Sequence, residues 1–190
     1  MVMGTHGVIG LNQKVLGAWA IKVTTSSPVP VVIVKKKKAA THGYKKIVLP
    51  MDGSKEVKQK VFHAIVMAKI FDAEVKIYAK YESDEFIANQ VKKNVGFAKS
   101  FLGKNNISHS EEAGIKGNYV KELLKYSTKE KADLLLIMTE QEEDLVIEVI
   151  IGPDNEKIIN KEAQIPVMCV NPDLTYYKGG SLLEGSILFQ

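Results

Sequence analysis

Aromatic residues make up only 7% of this 190-residue chain, and it holds a single tryptophan and a single cysteine. The lone Cys169 excludes an internal disulfide framework and any multi-cysteine metal site, and it points to a reducing, cytoplasmic setting. No apolar run approaches the roughly 18–20 residues that a membrane helix needs. The opening stretch ends in "AWA", but His6, Asn12, Gln13 and Lys14 break any signal-peptide core. Acids are missing from residues 1–44, which carry six lysines at 14, 22 and 35–38. The remainder, with 20 basic and 22 acidic residues, has a net charge of −2. Residues 139–156 are the opposite case, with seven acids and no base. A Walker pattern, a nucleophile elbow and a Cys–His pairing are all missing, and His6, His42, His63 and His109 lack metal-ligand spacing. Neither a catalytic residue nor a metal site is expected. The lysine run at 35–38 has no interleaved aromatics for base stacking, so it reads as a solvated linker rather than a nucleic-acid arm.

What is present is a regular alternation. "VPVVIV" (29–34) is a short β-branched strand, followed by the linker 35–44. "KIVLPM" (46–51), "AEVKIYA" (73–79), "ISHSEEA" (107–113), "ADLLLIM" (132–138) and "IPVMCV" (165–170) read as strands, the third polar enough for an edge. Between them run helical periods: Val57, Val61, Ala64, Ile65 and Ala68, then Ile87, Val91, Val95, Ala98 and Leu102, then Val120, Leu123 and Leu124. A last loop and helix extend to about Ala163. Strands alternating with helix-length connections predict an α/β fold, a five-stranded parallel doubly wound sheet with right-handed crossovers. Ligands would then bind at the carboxyl ends of the strands, where strand order switches.

The first 34 residues repeat the end of this pattern. "VMGTHG…PVPVVIV" aligns with "IMTEQE…IPVMCV", Met3 on Met138, Gly17 on Gly152, and Pro30 on Pro166 with one inserted residue. Residues 1–34 therefore read as the loop, helix and strand that close a second copy of the fold.

These residues resemble the universal stress protein family in tandem form. "KKIVLPMDGS" is similar to the family's opening strand, and the resemblance gives Asp52 the contact to the adenosine part of a nucleotide. "VMGTHGVIGL…LGAWA" is similar to its nucleotide loop, G-x2-G-x9-G followed by Ser or Thr, which implies nucleotide contacts at Met3, Gly4, Gly7, Gly17 and Ala18. The implied layout is a first-domain remnant (1–34), a linker (35–44), a complete domain (45–172) with an adenine-nucleotide alpha hydrolase-like fold, and a tail (173–190). That tail either mediates association or forms a disordered end. The resemblance also implies pairing of the last strands, 29–34 with 165–170, within or between chains, and a homodimer. Cysteines placed at Val32 and Val167 are the trap suggested for that contact.

The two loops differ in chemistry. Gly4 and Gly7 let backbone approach phosphates, and Gly17 opens a helix whose N–H groups attract anions. Ala18 stands where the family has Ser or Thr, a lost hydrogen bond to a charged group of about 1.5–3 kcal/mol. The alternative is that these glycines serve tight turns alone. In the second loop, Thr139 and Glu142 fall on the first two glycine positions. Glu140, Glu142, Glu143 and Asp144 would surround a phosphate, at about 4 kcal/mol per like-charge pair before screening. Pro153 removes a helix N-terminal donor, and "EQEED" lacks calcium-loop spacing. ATP is thus expected only in an intact parent of the remnant loop and in no complex with 45–172, where Asp52 serves as a helix cap. The expected role is a stress-response or regulatory protein, not an enzyme beyond at most weak ATP hydrolysis in the intact parent, with a nucleotide-independent interaction module as the alternative. An adenylate-transferring enzyme would need a glycine-rich stretch that "MDGSKEV" lacks.

Overall fold

A strand that is apolar on both faces has to be covered on both faces, and that requirement organises this chain. The computed structural model describes residues 1–4, 20–34, 43–139 and 165–173. The acidic stretch from 140, the helix expected to reach Ala163, the lysine run and the tail from 174 lie outside the described residues, as do Gly7, Gly17 and Ala18. In chain order the elements are β1 (Val2–Gly4), a helical stretch at 20–26 (α1), β2 (Val31–Val34), β3 (Lys46–Met51), α2 (Val57–Phe71), β4 (Glu74–Ala79), α3 (Glu85–Lys104), β5 (His109–Ala113), α4 (Tyr119–Lys129), β6 (Leu134–Met138) and β7 (Val167–Val170).

The strands form one sheet in the order β1-β2-β7-β6-β3-β4-β5. Within β3 to β7 every neighbour is parallel, and the first strand of the five sits centrally with the next two on one side and the last two on the other. This is the expected doubly wound sheet. Two further strands extend it: β2 pairs antiparallel with β7, and β1 pairs parallel with β2. Alternation along each strand sorts side chains between two cores. Ile47, Leu49, Met51, Leu134, Leu136 and Met138 pack with α2 and α3. Val48, Leu135, Ile137, Ile33, Val167 and Cys169 pack with α1 and α4 on the other face. Cys169 is fully buried there, a small apolar core residue.

Local chemistry fixes the element ends. Asp84 accepts from the Ile87 N–H at 2.9 Å and Asn118 from the Lys121 N–H at 3.0 Å, capping α3 and α4. The Asp133 carboxylate accepts the Lys45 and Lys46 N–H groups, both at 3.0 Å, and ties the start of β6 to the start of β3. The apolar stripe of α3 is buried from Val91 onward, whereas Ile87, expected within it, is 41% exposed in the first turn. The polar β5 is the outer edge, its exposed Glu111 and Glu112 facing Lys99 and Lys129, which blunts that edge to strand addition.

The β2–β7 register is Val31↔Cys169, Val32↔Met168 and Ile33↔Val167. Val32 lies in the α2/α3 core and Val167 in the α1/α4 core, so cysteines at 32 and 167 would sit on opposite faces of the sheet. A one-residue offset in a period-2 structure always changes face. The register instead offers the native thiol. Val31→Cys should form an intrachain disulfide with Cys169 under mild oxidation, leaving no titratable thiol in denaturant, whereas oxidised Val32→Cys/Val167→Cys should show no 32–167 link by peptide mapping.

His63 lies on α2, and burial pulls its pKa below the ordinary 6.5. The unfolded chain then binds this proton more readily than the folded one, so stability falls as pH drops through 6.5 toward the folded value. Urea midpoints measured between pH 7.5 and 5 should decline less steeply in His63→Asn than in the parent chain.

Candidate functional site

The switch in strand order lies between β3 and β6, so the crevice opens at their carboxyl ends. Pro50 creates that opening. The carbonyls of Lys45 and Met51 bond β4, and the Lys46 carbonyl bonds Asp133 at the start of β6. By alternation, Pro50 directs its nitrogen toward β6, and proline has no N–H to donate. The β3–β6 ladder accordingly runs only from Ile47↔Leu134 to Val48↔Leu135 before the strands part.

On the β3 side, Asp52 is 8% exposed and its Oδ1 accepts the Ser54 N–H at 2.7 Å. This closes an Asx-turn. The expected capping role is therefore corrected: α2 starts at Val57, and its N-cap position is Glu56 with no side-chain cap. Asn94, buried on α3, donates through Nδ2 to the Asp52 carbonyl at 2.7 Å and the Ser54 carbonyl at 2.8 Å. A Cβ built on Gly53 would lie 3.0 Å from Ile87 Cγ2 and 3.4 Å from the Ile87 carbonyl oxygen. Glycine thus admits α3 close to the turn, and the amide of Asn94 latches it there. The Ser54 hydroxyl oxygen is buried without a hydrogen-bond partner.

On the β6 side, the Thr139 N–H donates to the Val170 carbonyl at 3.0 Å, and its hydroxyl donates to Asn171 Oδ1. Asn171 Nδ2 donates to the carbonyls of Thr24 and Ser27, each at 2.8 Å, satisfying the carboxyl end of α1. Beyond it, the Asp173 N–H donates to Gln59 Oε1 at 2.8 Å, and Gln59 Nε2 donates to the Asp173 carbonyl at 3.2 Å. The chain leaving β7 is thereby fastened to the first turn of α2.

The named nucleotide-loop residues fall elsewhere. Met3 and Gly4 end β1, three strands beyond β3's neighbour in the sheet. Because β1 and β2 run antiparallel to β7, their carboxyl ends lie at the opposite end of the sheet from Asp52. Asp52 and Gly4 therefore lie at opposite ends of the sheet. Gly4 is exposed, and a Cβ there would meet nothing within 4 Å. Met3 packs on the α1/α4 side of the sheet, whereas Met138 lies in the α2/α3 core.

Sequence reasoning did not single out Asn94, Asn171 or Gln59. Asn94 left a trace, an amide directly beside Val91, Val95 and Ala98 on an otherwise apolar helical stripe. Asn171, directly after β7, carries no pattern that distinguishes it from a loop residue. Among the described residues no cluster of His, Cys, Asp or Glu is suited to hold a metal ion, and no helix is long and apolar enough to cross a membrane.

No protein-family model matches the chain. Universal stress protein MJ0531 of Methanocaldococcus jannaschii is 33% identical over 147 residues, an alignment covering 67% of this chain and 82% of that protein. The chain belongs to the universal stress protein family. Among solved structures, a universal stress protein of Archaeoglobus fulgidus superposes with a TM-score of 0.65 at 19% identity, over 92% of this chain and 61% of that one. The chain thus spans less than two thirds of that relative's length. A second universal stress protein of Archaeoglobus fulgidus, solved in complex with dAMP, matches with a TM-score of 0.50 at 17% identity, over 66% of this chain and 97% of its own. At these identities the two structures establish a shared fold.

Asn171 is the hinge point of this universal stress protein's polar chemistry, since it serves β6, β7 and α1 at once. Asn171→Ala removes three hydrogen bonds and leaves the buried Thr139 hydroxyl only the long 3.4 Å contact to the Val170 carbonyl. It should cost about 1–3 kcal/mol in urea unfolding, with an unchanged m-value.

Proposed function

We propose that this chain is a non-catalytic stress-response protein in which residues 45–172 form a domain degenerate for ATP and act as a scaffold for the half-repeat 1–34. The adenine-nucleotide loop of the pair is the stretch from Met3 through Gly4, Gly7 and Gly17 to Ala18, and it is fully functional only alongside the strands of its own half. The observation that carries the reading is the contrast at the two strand ends: β1 closes on Gly4, where a Cβ would meet nothing within 4 Å, whereas β6 is followed by Thr139, buried and hydrogen-bonded to Val170 and Asn171.

Other features support it. The Asp52 carboxylate is turned onto its own Ser54 N–H, and Asn94 engages the neighbouring carbonyls. Seven acids without a base follow at 139–156. The family fold accommodates a nucleotide, as the dAMP complex of the Archaeoglobus fulgidus relative attests for that protein. The setting is cytoplasmic, and the last strands β2 and β7 hold the two halves together in one chain. A nucleotide-independent interaction module is the second reading, favoured by the exposed Tyr81, Phe86, Ile87 and Ile115.

Calorimetric titration of ATP and dAMP into the chain distinguishes the readings. No saturable binding is expected below about 1 mM, the affinity of a site worth no more than about 4 kcal/mol. A low-micromolar complex that survives Gly4→Val but is lost in Asp52→Ala would place the nucleotide in the 45–172 domain and overturn the proposal.

A further inference from the structure

We infer that the furrow between α2 and α3 is a docking surface for a second copy of this chain, which supplies its own acidic and aliphatic segment 142–151. α2 holds Lys58, Lys60 and Lys69 and no acid, and α3 holds Lys92, Lys93, Lys99 and Lys104 with Glu85 as its one acid. Seven lysines thus face one carboxylate on two neighbouring helices, in a chain whose net charge is +4. Three half-buried phenylalanines lie between the helices. Phe62 stands edge-on to Phe97 and Phe101, with ring centroids 6.2 and 5.5 Å away, and Phe97 lies 4.4 Å from Phe101. The Lys58 ammonium sits 5.2 Å over the Phe97 ring, and that of Lys104 5.3 Å over Phe101. Lys93 is exposed one helical turn before Phe97. Lys60 is buried and Lys99 is engaged by Glu111 at 2.8 Å, so the charge offered to a partner is concentrated at Lys58, Lys92, Lys93 and Lys104.

Gly96 is the second observation. It sits in the middle of α3 beside Phe97, it is exposed, and a Cβ there would meet nothing within 4 Å. Glycine disfavours a helix interior, and no contact among the described residues requires one here. A bare stretch of helix surface does allow another backbone to approach closely. The partner that fits is an aliphatic segment flanked by carboxylates, which lays its apolar side chains on the phenylalanines and its acids on the lysines. The stretch "EEDLVIEVII" at 142–151 has this composition, four acids and six aliphatic residues without a base. Lys92, Lys93 and Lys104 are exposed in the single chain, so their complement comes from another molecule. Reciprocal exchange about a two-fold axis fills both furrows and leaves no contact open to further addition. The surface is separate from the β2–β7 seam, and the inference does not depend on the nucleotide reading.

Sedimentation velocity of the full chain tests the surface. A concentration-dependent dimer is expected, weakened about tenfold or more when salt is raised from about 50 to 500 mM. Lys58→Glu/Lys93→Glu and, separately, Glu142→Lys/Glu143→Lys should each be monomeric. Their equimolar mixture should form a heterodimer, because each furrow then meets a segment of opposite charge, and that rescue shows both variants to be folded. Gly96→Gln, which favours the helix but fills the bare surface, should weaken the dimer by a similar factor. A chain that stays monomeric at every concentration overturns the inference, as does a dimer that charge reversal leaves intact or that folded variants fail to restore on mixing. Should charge reversal unfold either variant, Gly96→Gln decides alone, and a dimer it leaves unchanged overturns the inference. Binding of a monomer to phosphatidylserine vesicles that is lost in Lys58→Glu/Lys93→Glu also overturns it, by giving the furrow to a membrane.

Discussion

The antiparallel contact between β2 and β7 is the constraint on which the rest of the structure depends. Each strand is apolar on both faces, and neither is covered unless the other extends the sheet beside it. Once Val32 faces Met168, the remaining register follows by alternation. Val31, Ile33, Val167 and Cys169 go to the α1/α4 side, while Val32 and Met168 join α2 and α3. The same contact sets the polarity of the molecule. Strands β3 to β7 end on one rim of the sheet and β1 and β2 on the other, so the carboxyl ends of the two sets of strands face away from each other.

Polar groups then secure what apolar burial positions. Asn171 ties the exits of β6 and β7 to the carboxyl end of α1, across the seam. Asn94 does the equivalent at the switch point, holding the 52–54 turn against α3. Both are buried or half-buried amides with donors and acceptors in use, the condition under which such groups rigidify a fold rather than destabilise it. The cost falls on plasticity at the switch point. The turn that bears Asp52 is already engaged with its own backbone, and the opening made by Pro50 is bordered by the buried Met138.

Much of the fold was legible because periodicity is a local signal. "KIVLPM" and "LLLIM" announce strands covered on both faces, and "HSEEA" announces an edge. The stripes of α2 and α4 are where the spacing puts them. Ile87 was the exception: it keeps the helical period, but the first turn of α3 reaches past the core and lies over Gly53 instead. The site was less legible. Met3 and Met138, matched by residue identity, lie on opposite faces of the sheet, which only the packing shows. Asp52 carried the signature of a cap, yet α2 starts too late for it to reach.

By itself, the sequence determined the α/β alternation, the charge asymmetry and the family, since each is written in nearest-neighbour spacing or in short motifs. The tertiary structure alone decided the register of the seam, the opposite directions of β2 and β7, the latch at Asn94 and the bridge at Asn171. These depend on which strands lie side by side, and a period-2 pattern is equally satisfied by any even shift until packing on both faces selects one.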